Sequence, residues 1–100
     1  MIKVLQLDSL VVSIPRDVLS QDVGEETVIL SIESGNYFGL NQVGSRIWSL
    51  LQEGRPVQAV IATLVKEYEV SEERLKTDMQ QFLSSLLSQG LIRIDGSNGA

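Results

Sequence analysis

Asn36-Tyr37-Phe38-Gly39-Leu40-Asn41-Gln42-Val43-Gly44-Ser45-Arg46-Ile47-Trp48 is the stretch in which this chain changes its period. Up to Leu40, β-branched runs alternate with turn residues; from Asn41 onward apolar residues recur at helical spacing. Asn41 is an N-cap residue type, and the helix it opens carries Val43, Ile47, Trp48, Leu50 and Leu51, with Gly54 just past its end. Gly44 inside that helix costs about 1 kcal/mol relative to Ala, which predicts a close packing contact there.

Working back from that switch, Tyr37–Leu40 reads as a short strand and Ser34-Gly35-Asn36 as the turn before it. Thr27–Glu33 and Val18–Val23 form a hairpin around Gly24-Glu25-Glu26. Alternation over Val28, Leu30 and Ile32 puts these three on the core face and leaves Ile29 pointing away from it. Leu10–Ile14 is a further apolar run, ended by Pro15. Three antiparallel strands in a meander cannot stand alone and need a helical layer.

Working forward, Pro56 suits the first turn of a second helix with the face Val57, Val60, Ile61, Leu64, Val65 and Tyr68. Ser71 caps a third helix whose stripe is Leu75, Met79, Phe82, Leu83, Leu86 and Leu87, and Gly90 ends it. Leu91–Ile94 is a short closing strand. The expected fold is α+β, winged helix-turn-helix-like, with a three-stranded antiparallel sheet followed by three helices. Residues 1–95 form one domain and residues 96–100 a flexible tail.

Composition removes most chemistry. Among 100 residues there is no histidine and no cysteine, so the usual general base, thiolate nucleophile and commonest metal ligands are missing. No serine has a base to activate it, and no phosphate-cradling Gly-rich loop is present. The acidic residues are dispersed, without the spacing of a calcium loop or di-metal site. Catalysis, metal and cofactor are therefore not expected. The net charge of −5 opposes nucleic-acid binding. The third helix, which would read DNA, opens with Glu72, Glu73 and Asp78 against Arg74 and Lys76. No apolar run reaches the ~18–20 residues that span a bilayer, and Met1–Asp8 holds an apolar stretch too short for a signal peptide. A cytoplasmic protein follows.

Peptide capture survives these exclusions. The third strand has a potential free edge, and an extended peptide can add to such an edge. Ordering each peptide residue costs about 1–2 kcal/mol, and each hydrogen bond returns only ~0.5–1.5 kcal/mol net. Selective affinity thus needs buried anchors, each contributing ~1.5–3 kcal/mol. Candidate walls are Tyr37 or Phe38 on the strand and Leu75, Met79 and Phe82 on the third helix, with Asp78 placed to receive a basic residue. The ordinary reading of Met79, Phe82 and Leu86 is core, and Asp78 reads evenly as plain surface.

The Asn36–Trp48 stretch, preceded by Gly35, resembles the "G-x-Y-x-x-L-N-x-x-G-x-x-I/V-W" core of PqqD-like proteins. Leu51–Val57 is similar to that family's "L-x-x-G-x-T/S-V" junction. Tyr68–Ser71, Asp78 and Phe82–Ile92 are similar to its "Y-x-V … D-v-x-x-F-L-x-x-L-x-x-x-G-L-I" ending. The resemblance, from about Val18 to Ile94, implies a recognition element for ribosomally synthesised precursor peptides. Such an element binds the leader as an added strand and presents the peptide to partner enzymes. A free-standing copy with Tyr37 and Trp48 looks most like the lasso-peptide type, whose partners are a leader peptidase and a cyclase. The alternative is a PqqD-type chaperone for a radical-SAM maturase in quinone biosynthesis, and more remotely a winged-helix regulator. Carried over by position, the peptide-binding set is Tyr37, Phe38, Gly39, Leu75, Asp78, Met79 and Phe82. Monomer and homodimer both stay open, as does an additional or swapped strand from residues before Val18.

Overall fold

A computed structural model describes residues 10–97. In chain order it contains β1 (Leu10–Ser13), β2 (Val18–Val23), β3 (Glu26–Ser31), β4 (Tyr37–Leu40), α1 (Gln42–Gln52), α2 (Val57–Tyr68), α3 (Glu72–Ser88) and β5 (Arg93–Ser97). The α+β class and the order of a three-stranded sheet followed by three helices are as expected. The strands pair antiparallel in the order β2-β3-β4.

The run before Pro15 forms β1, which leaves the meander and pairs antiparallel with β5 in a separate two-stranded sheet. Thus the strand question left open upstream of Val18 is answered for residues 10–13; residues 1–9 lie outside the described residues. The closing strand begins later than the sequence suggests. Leu91 and Ile92 precede it as core residues, and pairing continues through Gly96 and Ser97. Residues 96 and 97, expected in the tail, therefore belong to β5, and residues 98–100 lie outside the described residues.

Side-chain oxygens cap α1 and α3. Asn41 Oδ1 accepts from Gly44 N–H at 2.8 Å, and Ser71 Oγ accepts from Arg74 N–H at 3.2 Å. Pro56 opens α2 without a side-chain cap. The core joins Ile47, Trp48, Leu50 and Leu51 of α1, Val57, Val60, Ile61 and Leu64 of α2, and Leu75, Met79, Leu83 and Leu86 of α3. Val43 and Tyr68, expected on apolar faces, are exposed, because each sits at an end of its helix beyond the packed stripe.

The sheet corrects the parity. Ile29 is fully buried, flanked on the same face by buried Thr27 and Ser31, while Ile32 is 57% exposed. Register then puts Val28 and Leu30 on the solvent side, together with Leu19 and Val23 of β2 and Tyr37 of β4. Local bonds let the polar pair face inward. Thr27 Oγ1 donates to Asp22 Oδ1 at 3.0 Å, and Ser31 Oγ accepts from Ser34 N–H at 3.4 Å.

Arg46 of α1 donates to both carboxylate oxygens of Glu67 of α2, at 3.0 and 2.6 Å. These hydrogen bonds hold the Glu67 carboxyl below its ordinary value. A lowered carboxylate stabilises the fold above its unfolded pKa and loses that contribution as pH falls through the folded one. Glu67→Gln should therefore be less stable than the parent at neutral pH, and the two should converge as the pH falls through the lowered pKa of the folded carboxyl. Both side chains are over a third exposed or close to it, so high salt should shrink the difference. Chemical unfolding across pH and salt measures this. The reversed parity is tested by Ile29→Ala, expected to cost about 2–5 kcal/mol, and by Leu19→Ala, expected to stay within ~0.5 kcal/mol. Emission from the sole tryptophan, buried Trp48, reports both transitions.

Candidate functional site: the free margin of β4

With β3 on one side of β4 and no strand on the other among the described residues, β4 ends the meander. Which backbone groups reach the open side follows from the ladder. Ser31 N–H donates to Asn36 C=O at 3.0 Å, marking 31/36 as a bonded pair. Alternation along an antiparallel ladder makes Ile29/Phe38 and Thr27/Leu40 bonded pairs as well. The N–H and C=O groups of Tyr37 and Gly39 accordingly point to the open margin.

A helix stands at the end of this margin. A Cβ at position 44 would lie 3.4 Å from Phe82 Cε1, 3.5 Å from Leu40 Cβ and 3.3 Å from Asn41 Oδ1. The glycine therefore lets the Phe82 ring of α3 close on the β4–α1 junction. This accounts for the helix-weakening residue singled out in the sequence. Phe82 itself is half-buried against the core. Asp78, one turn earlier on α3, is exposed.

The seven candidate residues do not converge as a single wall. Phe38 and Phe82 are half-buried and Gly39 is exposed on β4. Tyr37 is 69% exposed, with its side chain on the outer face of the sheet; its backbone alone reaches the margin. Leu75 and Met79 lie in the core, with Met79 wholly buried. Their stripe is the inner seam of α3, and only its flank, Asp78 and Phe82, reaches outward. Leu40 was absent from the candidate set. Its place at the strand end beside Gly44 and Phe82 was not readable from an alternation that assigned the faces the wrong way round.

The site holds no grouping of acidic side chains fit to hold a metal among the described residues. No helix among them is long and apolar enough to cross a membrane. What the arrangement offers, among the described residues, is a strip of unpaired backbone with an aromatic ring at its end.

This is a small α+β module with an open strand margin beside a helix. The model of coenzyme PQQ synthesis protein D matches residues 26–92, and the chain belongs to the PqqD family. Among solved structures it is similar to TbiB1 in complex with the TbiA(beta) leader peptide. Identity there is 38% and the TM-score 0.78, covering 80% of this chain and 93% of that one. It also shares the fold of lasso peptide synthetase B1 complexed with the leader peptide, at 24% identity and a TM-score of 0.76, covering 82% and 96% respectively. No curated protein matches the chain.

The cap that ends β4 should matter to the site. Asn41→Ala should cost about 0.5–2 kcal/mol, and Asn41→Asp should recover most of it; thermal unfolding distinguishes them.

Proposed function

We propose that this protein binds the leader region of a ribosomally synthesised precursor peptide as a strand added to β4. It delivers that peptide to processing enzymes of the lasso-peptide type, a leader peptidase and a cyclase. One observation carries the reading: among the described residues β4 has an unpaired margin, in a fold shared, at 38% identity, with a protein solved in complex with a leader peptide. Chemistry supports a non-catalytic role, since a chain without histidine or cysteine holds neither the usual base nor the thiol nucleophile. The protein works in the cytoplasm, where precursor peptides are made.

Each side of the margin has a separate task. The backbone of Tyr37 and Gly39 pairs with any extended chain and so supplies little discrimination. Phe82, with Phe38 and Leu40 on the strand, takes an apolar anchor of the leader. Asp78, exposed on the same flank of α3, attracts a basic residue. Leu75 and Met79 support the flank from within the core and do not touch the peptide. The family's description, coenzyme PQQ synthesis, favours a second reading in quinone cofactor biosynthesis, for which the PqqD-like resemblance implies a peptide held for a radical-SAM enzyme. Both readings use the same margin, and the peptide that binds separates them.

Titration of a fluorescein-labelled leader by anisotropy tests the site. Phe82→Ala removes an anchor of ~1.5–3 kcal/mol and should weaken binding by about 10- to 100-fold. Asp78→Ala, at an exposed position, should weaken it only about two- to fivefold, an effect that vanishes at high salt. N-methylation of the leader amides that pair with Tyr37 and Gly39 should abolish binding. Unchanged affinity in both variants rejects the placement of the groove.

A further inference from the structure

Among the described residues, one buried side-chain donor has no acceptor: the indole N–H of Trp48. Trp48 is 1% exposed, so solvent does not reach it. Leaving such a group unpaired is costly, and most buried polar groups in folded proteins avoid it. The buried polar side chains of the sheet do so, since Thr27 donates to Asp22 and Ser31 accepts from Ser34 N–H. A phenylalanine at position 48 would carry no such donor, so the orphaned N–H calls for a reason.

Helix geometry places this donor beside the open margin. Trp48 lies four residues after Gly44, on the same face of α1. Long side chains on a helix lean toward its N-terminus, so the indole reaches back over the turn of Gly44. That turn is where Phe82 of α3 and Leu40 of β4 close on the missing Cβ. Helix α1 packs on β3 and β4, whose inner face carries buried Ile29 and its cross-strand partner Phe38. Phe38, Leu40 and Phe82, which border the junction, are each half-buried. A layer one side chain deep thus separates the donor from the place where an anchor of the leader enters.

We infer that Trp48 is a specificity-determining residue whose indole N–H donates to the leader. The inference rests on the leader-binding reading above. The anchor that enters beside Phe82 has an apolar body with an oxygen at its tip, and this oxygen accepts from Nε1. It is the neutral oxygen of a hydroxyl, a phenol or a side-chain amide, because burying a carboxylate there costs more than one hydrogen bond returns. The donor has already given up its water in the free protein, so pairing adds no desolvation on the protein's side. A hydrocarbon anchor of the same shape fills the space, leaves the donor unpaired and binds more weakly.

The test uses the full chain with its sole tryptophan replaced biosynthetically by the benzothiophene isostere, which keeps the shape of the indole and lacks the donor. This protein should unfold at a temperature equal to or above the parent's, since an unpaired donor has been removed. It should bind the labelled leader about five- to twentyfold more weakly in anisotropy. A series of leaders exchanges each side-chain oxygen in turn for a hydrocarbon isostere, tyrosine for phenylalanine, threonine for valine, asparagine or glutamine for leucine. One of these leaders should bind the parent more weakly by a similar factor, and should bind the isostere-containing protein as well as the unaltered leader does. The parent's single indole resonance should move downfield when the leader binds. Leader affinity unchanged by the isostere overturns the inference, as does an unmoved indole resonance. A lower unfolding temperature assigns the N–H to a bond within the fold and also overturns it, and so does a leader series in which no oxygen couples to position 48. Failure of the parent to bind any leader rejects the reading beneath it instead.

Discussion

The contact among Asn41, Gly44 and Phe82 is the constraint that shapes the open margin of β4. The Asn41 side chain accepts from Gly44 N–H, one of the free donors in the first turn of α1, and strand and helix meet with only Asn41 between them. Gly44 then leaves room for an aromatic ring from a helix about forty residues later in the chain. The ring thereby packs at the β4–α1 junction, while the inner seam of α3 sinks into the common core. Local capping and one absent Cβ together convert a meander and a helical layer into a margin with a wall.

Most elements were legible because their signals are local. Caps at Asn41 and Ser71, the stop signals at Gly54 and Gly90, and the change from a period of 2 to one of 3.6 each act within a few residues. Face assignment failed at β3 for a physical reason. Alternation identifies an apolar side but assumes that this side is the buried one. Here Thr27 and Ser31 turn inward because neighbouring polar groups satisfy them, and Val28 and Leu30 turn outward. The pairing of β1 with β5 joins the two ends of the described chain, a non-local contact that no window of sequence reports.

At the site, the same division holds. Helical spacing puts Phe82 in one stripe with Leu75 and Met79, and Asp78 beside that stripe. Separating them from Leu75 and Met79 required knowing how deeply the seam of α3 sinks, which depends on α1 and α2. Tyr37 was chosen as a wall for its ring; the structure turns that ring to the outer face and leaves the residue its backbone at the margin.

An added strand meets a particular energetic difficulty. Pairing with β4 orders the incoming chain at about 1–2 kcal/mol per residue, for hydrogen bonds that return no more than this. A margin used alone would hold any extended chain weakly and none selectively. Specificity must come from side-chain anchors beside the strand, and the half-buried Phe82 is the largest apolar group there. The short strand of four residues limits what such pairing can contribute by itself.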